Sequence, residues 1–344
     1  MQQANPEQTP EQRHTPITLA HGNGGALMRQ LIEECFAKAL ANDLLNTGLD
    51  AAPIPLPSGE VMITTDGFTV KPLCFPGGTI GSLAVHGTVN DLAVAGAVPL
   101  YLTLNAFIEE GLTQELLTLI VADMAAAAVA AGVRIVAGDT KVVPRGEGSG
   151  LYLATTGIGV RQRALPGVAG IKVGDKIVVS GSLGDHGAAV MLAREEFGLS
   201  GSLPSDSANV TPLCQAALQL PGLRFMRDPT RGGLITVCHD IARQCQLGVQ
   251  LQERAIVVHE SVATICAMLG YDPLYLANEG KVVAVVAADA AEALLGLWRQ
   301  QPLGKAAAVI GTIVAAAPRV TLVTELGGER LLHELLDDPL PRIC

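Results

Sequence analysis

Three aspartates stand out for chemistry: Asp66 closing the apolar run "VMITTD", Asp91 inside "TVNDLAVAG", and Asp139 in "GDTKVV". Mg²⁺ takes hard oxygen ligands, usually a few carboxylates with substrate phosphates and water completing the octahedron. Each aspartate alone is ordinary turn or capping chemistry; the combination points to a metal–phosphate centre. Asp91 is the most pointed, because Asn90 and Asp91 are wrapped in small and apolar residues. An unpaired charge there is costly and calls for a counter-ion or metal.

Anion-holding groups recur nearby. "HGNGG" places Gly22, Asn23, Gly24 and Gly25 ahead of an amphipathic helical pattern, where backbone N–H groups can approach a phosphate closely. Neither G-x-x-x-x-G-K-[ST] nor G-x-G-x-x-G occurs at this turn, so the P-loop and Rossmann fingerprints are not met. "MRDPTRGGL" supplies Arg227, Asp228 and Arg231 before a glycine pair at a helix start, a second anion-holding turn. Lys141 follows Asp139 by two residues, and "LANEGKVV" sets Glu279 and Lys281 ahead of a strand. "SGSLGDHGA" holds Asp185 and His186 in a third glycine-rich turn; a lone histidine there is structural more often than catalytic. The last residue, Cys344, is a thiol on a short stiff arm behind Pro339 and Pro341. A prenylation motif needs its cysteine fourth from the end, which excludes that use.

The elements that must position these residues alternate. Strands are expected at 61–66, 100–108, 133–139 and 151–160, with a helix between the first two closing at Pro99 and another from the Thr113 cap to Gly132. The Pro/Gly-rich "ALPGVAGIKVGD" near residue 170 marks a change of register into a second mixed unit. Its helices are expected at about 212–220, 231–246, 259–269 and 289–300, with late strands in "VVAVVAA", "AAVIGTIV" and "RVTLVT". The organisation read is a flexible extension over 1–16, a unit over 17–168, an α/β unit over 169–332 and a mobile tail over 333–344.

Composition narrows the class. The 344 residues carry 23 Lys+Arg against 33 Asp+Glu, a net charge of −10, and only 3% aromatics, which argues against a nucleic-acid partner. Seven cysteines form no C-x-x-C pair, so neither a disulfide framework nor a structural zinc site is expected. All but Cys344 read as buried inert thiols. The most apolar stretch, "LTLIVADMAAAAVAAGV", is broken by Asp123 and fits a core helix better than a membrane span. The polar N-terminus lacks the basic and apolar regions of a signal peptide, so the location expected is the cytoplasm.

Together "HGNGG", "TVNDLAVAGAVP", "VAGDTKVV", "SGSLGDHGA", "RDPTRGGL", "LANEGK" and the terminal "PRIC" resemble the HypE family of hydrogenase-maturation carbamoyl dehydratases. They run in order from about residue 17 to the end. Except for "PRIC", the motifs are shared with or close to those of the wider ATP-binding family of aminoimidazole ribonucleotide synthetase and selenophosphate synthetase. The resemblance implies a two-domain α/β (α+β) fold of the aminoimidazole ribonucleotide synthetase kind, dimerising through its N-terminal sheets. It implies ATP and Mg²⁺, with Asp66, Asp91 and Asp139 on the metal. Gly22, Asn23, Gly24, Gly25, Asn90, Thr140, Arg227, Asp228 and Arg231 would lie about the nucleotide. Cys344 would receive a carbamoyl group from HypF and carry it through dehydration to a thiocyanate, for delivery to a HypC–HypD complex that builds the cyanide ligand of nickel–iron hydrogenase iron. Glu279 is the implied base and Lys141 a phosphate or proton-relay partner. Asn23 departs from the serine of many relatives. No cysteine precedes "HGNGG", which weakens the selenophosphate synthetase reading. Two other readings stay open: a small-molecule synthetase of the same fold, and a nucleotide-sensing scaffold.

Overall fold

The computed structural model describes residues 15–194, 201 and 203–335. The N-terminal half contains α1 (Ala26–Leu31), which runs on as a π-helix over Ile32–Ala37, then β1 (Val61–Phe68), a hairpin of β2 (Cys74–Phe75) and β3 (Gly78–Thr79), and α2 (Ile80–Val94). It continues with β4 (Ala97–Glu109), α3 (Gln114–Ala131), β5 (Arg134–Val143) and β6 (Leu151–Arg161). Its sheet has the order β1-β6-β4-β5, with only β4 and β5 parallel.

The second half contains β7 (Lys176–Val179), α4 (Asp185–Ala193), α5 (Thr211–Ala217), β8 (Leu223–Arg227), α6 (Gly233–Cys245), β9 (Gly248–Gln252) and α7 (Glu260–Leu269). β10 (Val283–Val286), α8 (Ala291–Trp298), β11 (Ala308–Val314), β12 (Val320–Val323) and β13 (Glu329–Leu332) complete it. These strands form one sheet in the order β13-β12-β9-β11-β7-β10-β8. Separate apolar clusters contain α6 residues and residues of α5 and α8.

The most buried helix, α2, spans both halves. Of its residues only His86 and Asp91 escape full burial. Its start packs against α3, where a Cβ on Gly81 would lie 2.3 Å from the Ile120 carbonyl. Its end sends Ala93 and Val94 into the cluster of the second sheet. A helix surrounded this way keeps a polar side chain only where that chain has work or a partner.

Sequence patterning located most elements but not all their ends. The Thr113 hydroxyl accepts from Leu116 N at 3.2 Å and Gly132 takes the left-handed cap at φ 70, as capping chemistry predicts. The expected helix end at Pro99 is displaced: α2 stops at Val94 and Pro99 lies inside β4. A register shift sits beside it between Pro99 and Tyr101, the kind of irregularity where a strand tolerates proline. β1 and β5 also run past Asp66 and Asp139, which are therefore strand-interior residues. α3 is long and apolar enough to cross a membrane, but Leu117, Ile120, Val121 and Met124 are at most 1% exposed in the core. Of the thiols expected to be buried, Cys74 is exposed and Cys245 half-buried. Thr15 N bonds Glu115 at 3.2 Å and Pro16 bridges to Thr113, so these two residues are tied to the first unit.

Candidate active site at the domain seam

Alternation along β1 puts Met62, Thr64, Asp66 and Phe68 on the inner face, towards α2. Thr64 Oγ1 donates to Asp91 Oδ2 at 2.8 Å, holding that carboxylate near Asp66. The second half closes over them. The loop after β8 brings Asp228 and Arg231, and the turn before β10 brings Glu279. Arg231 Nη2 stands 3.3 Å from Asp66 Oδ1, an ion pair across the seam.

All four carboxyls are held above the ordinary carboxylate range, first by burial. For Asp66 the Gly67 N–H and then Arg231 oppose the rise. For Asp91 the Thr64 hydrogen bond opposes it and the charge of Asp66 adds to it. Burial and then Asp91 push Asp228 up to about 7. Glu279, 3% exposed, is raised well above that range, by burial and then by Asp228, Asp206 and Asp66. Negative charge thus works against negative charge across the seam, at Asp91, Asp228 and Glu279, where Arg231 is the guanidinium in contact with Asp66.

This donor chemistry fits a divalent cation. Among the described residues no three His, Cys, Asp or Glu groups converge tightly enough to hold a metal by themselves. Mg²⁺ binds one or two protein carboxylates and keeps places for phosphate and water.

Asp139 is not in this cluster, contrary to the expected triad. Ladder partners run Asp66–Thr155–Leu104–Gly138, and one rung on Gly67–Ala154–Asn105–Asp139. Asp139 is thus three strands away, ~14 Å at ~4.8 Å per strand, and its side chain leaves the opposite face of the sheet. There it pairs with Lys141 at 2.6 Å; this pairing first, and then the Thr140 N–H, hold its carboxyl below the usual range against burial. That outer face carries Val61, Ile63, Thr65, Asn105, Phe107, Asp139 and Lys141, all exposed, with Ile63 at 70% and Phe107 at 41%.

The glycine cluster joins this second group. Gly22 packs on β5, where a Cβ would lie 3.0 Å from Val142 Cβ. Gly24 has φ +77, Asn23 caps a short 3₁₀ turn and Gly25 caps α1. Beside β5 an apolar cleft of about 90 Å³ is lined by Ile32, Phe36, Leu40, Leu45, Asp139 and Thr140. Thr140 Oγ1 is buried there without a hydrogen-bond partner.

Two expected nucleotide ligands are otherwise engaged. Asn90, 1% exposed, donates to the Ala208 carbonyl at 2.9 Å and the Glu279 carbonyl at 3.1 Å and accepts from Val210 N at 2.9 Å. Its amide is used up as a tie between the halves. Arg227 reaches Asp240 on α6 at 2.7 Å. Cys344 lies outside the described residues. Sequence reasoning misses Asp206, which accepts from Glu279 N, and Asn278, whose amide joins Gly184 N to the Pro229 and Leu276 carbonyls; a polar residue beside a motif is the one cue to Asn278.

A two-sheet molecule with an acidic seam of this kind is an AIR synthase-related protein. The family models for the AIR synthase-related N-terminal and C-terminal domains match residues 48–161 and 172–323. The carbamoyl dehydratase HypE of Azotobacter vinelandii is 48% identical over 336 residues, 96% of this chain and 98% of that protein. A crystal structure of the hydrogenase maturation protein HypE in complex with ATP superposes with a TM-score of 0.90 at 43% identity, covering 95% of this chain and 99% of that one. A HypE–HypF complex matches with a TM-score of 0.78 at 44% identity over 90% of this chain and 100% of that one. The chain belongs to the HypE carbamoyl dehydratase family.

Proposed function

We propose that the chain dehydrates a carbamoyl group carried on its own Cys344, using ATP, and so makes the thiocyanate from which the cyanide ligand of nickel–iron hydrogenase is delivered. The observation that carries this reading is the seam itself: Asp66 and Asp91 from one half facing Asp228, Arg231 and Glu279 from the other. The balance is a thiocarbamate and ATP giving a thiocyanate, ADP and phosphate, with the oxygen of the carboxamide leaving on phosphate. When bound, ATP supplies the phosphoryl group that makes this oxygen a leaving group, and Mg²⁺ neutralises its charge.

The chain's own residues do the rest. Asp66, Asp91 and Asp228 would hold the metal, and Arg231, now paired with Asp66, would be free to turn to the phosphates. Glu279 takes a proton from the amide nitrogen; its burial keeps water from competing and sets its basicity high enough for the task. Tethering replaces diffusion of the substrate. Glu334 pairs with Arg243 at 3.4 Å, and α6 leads back from Arg243 towards Arg231 over ~18 Å at ~1.5 Å per residue. A segment of the length of 336–344 reaches up to ~30 Å at ~3.3 Å per residue, enough to cover that path.

The outer face of the first sheet supports a homodimer. Its exposed apolar residues want a partner, and Asp139, Lys141, Thr140 and the Gly22–Gly25 turn sit beside it. In the dimer this edge of one copy completes the seam of the other, so Asp139 reaches the metal–phosphate centre from the partner. HypF is the carbamoyl donor and a HypC–HypD complex the acceptor, in the cytoplasm.

Intact-protein mass spectrometry tests the reading. After incubation with HypF, carbamoyl phosphate and ATP, the C-terminal peptide should gain one carbamoyl group and then lose one water. A Cys344 that stays unmodified while HypF is active would make a free small molecule the substrate.

A further inference from the structure

Glu279 does not sit on a regular element. It lies in the turn Asn278–Lys281, between the short helix Pro273–Tyr275 and β10. A buried base on a turn needs something to hold it, and what holds it is a strap, residues 205–210, threaded between the two halves.

The strap is tied at both ends and on both sides. Ser205 N donates to the Pro76 carbonyl at 2.7 Å, and Ser207 Oγ meets His86 Nδ1 on α2 at 3.0 Å. Asn90 grips the Ala208 carbonyl and Val210 N while also reaching the Glu279 carbonyl. Asp206 makes the direct link. Its Oδ1 accepts from Glu279 N at 3.1 Å and its Oδ2 from Lys281 Nζ at 2.9 Å, so one carboxylate spans the turn on both sides of Gly280. The fit leaves no room, since a Cβ on Gly280 would stand 1.8 Å from the Asp206 carbonyl oxygen. Lys281, 7% exposed, lies within 3.5 Å of a second carboxylate, Asp185, so Asp206 is not needed to satisfy its charge.

We propose that Asp206 is a positioning residue for the reaction: through the Glu279 amide and Lys281 it fixes the turn that aims Glu279 into the seam. This rests on the reading of Glu279 as the base. A second effect comes with the charge. Glu279 is faced by Asp228, Asp206 and Asp66 and by Arg231, and the Asp206 carboxylate makes Glu279 harder to ionise.

Two substitutions separate the contributions. Asp206→Asn keeps an acceptor for Glu279 N but drops the charge; Asp206→Ala drops both. With the chain carbamoylated by HypF and supplied with ATP, Asp206→Ala should lose about tenfold or more in kcat with KM for ATP within about twofold. Asp206→Asn should lose less, and the acid limb of its rate profile should move to lower pH. Gly280→Ala, which displaces the turn and keeps the charge, should lose kcat without moving that limb. Hydrogen exchange over 278–282 should quicken in Asp206→Ala and Gly280→Ala. Parental exchange and kcat in both would overturn the proposal. Glu279→Gln run alongside keeps the two ideas apart: if it still dehydrates, the base reading fails, and the exchange data alone judge whether Asp206 holds the turn.

Discussion

The two motif-bearing regions of this chain are built to different degrees of completion. At the seam, Asp228 and Glu279 are buried and Asp66 and Asp91 half-buried, with charges that work against one another and named ties such as Thr64 to Asp91. At the β5 edge, Asp139 and Lys141 are exposed, satisfied by one another and set on an apolar face. A single chain can afford the seam only because both halves close over it. Among the described residues the β5 edge has no such cover over Asp139 and Lys141, and its charges fall on the wrong side of the sheet to reach Asp66 within the same copy. Sequence motifs of equal sharpness can therefore end on opposite faces of one sheet.

The strongest way to break this contrast is at Glu279. Glu279→Gln should lower thiocyanate formation by about 10²–10⁴-fold, the usual contribution of a general base, while ATP still binds. A variant with parental rate would remove Glu279 from the chemistry.

Next comes the metal–phosphate set. Asp91→Asn keeps an acceptor for Thr64, so the fold should persist while metal-dependent ATP turnover drops about 100-fold or more. Asp139→Asn should be impaired as well. Mixing the two variants should restore activity to about a quarter of the parent, because random pairing gives half heterodimers with one sound site each. No recovery on mixing would mean that Asp139 does not work across two copies.

The repulsion at the seam has its own signature. The folded pKa of Asp228, up to about 7 from 3.8, means that the native state holds a proton the unfolded chain has released. Stability should then fall as pH rises from about 4 through about 7, by on the order of 4 kcal/mol from this group. Asp228→Asn should remove that decline and melt higher than the parent at pH 8. Equal melting temperatures there would show that Asp228 is not under charge stress.

On the outer face, Ile63→Glu places a charge in the middle of the apolar patch. Sedimentation should report monomer with an unchanged circular dichroism spectrum. The smallest effect is expected at Asn23→Ser, within about twofold in KM for ATP, since both side chains can hydrogen-bond a phosphate oxygen.

Much of the frame was legible before any coordinates. Apolar alternation gave β1, β4, β5 and β6, and cap residues gave both ends of α3. What escaped were the short strands β2, β3, β7, β8, β9 and β13, whose period-2 runs are too brief to stand out, and the end of α2, where Pro99 belongs to a strand irregularity. The candidate site residues fall in two places, the seam and the β5 edge, and some are tied up elsewhere. The resemblance places Asn90 about the nucleotide, yet helical geometry sends the Asn90 and Asp91 side chains about 100° apart, one into the second half and one to the seam. Asp206 carried no motif, since its work is done on backbone groups of a turn distant in sequence.

The sequence by itself determined which chemistry is possible: carboxylates for a cation, and glycines and arginines for phosphates. Only the tertiary structure decided which of these meet. Strand register put Asp139 on the opposite face from Asp66, and closure of the second half put Asp228 and Glu279 beside Asp91. Face and register are set by which apolar surfaces bury one another, a property of the whole chain that no local spacing contains.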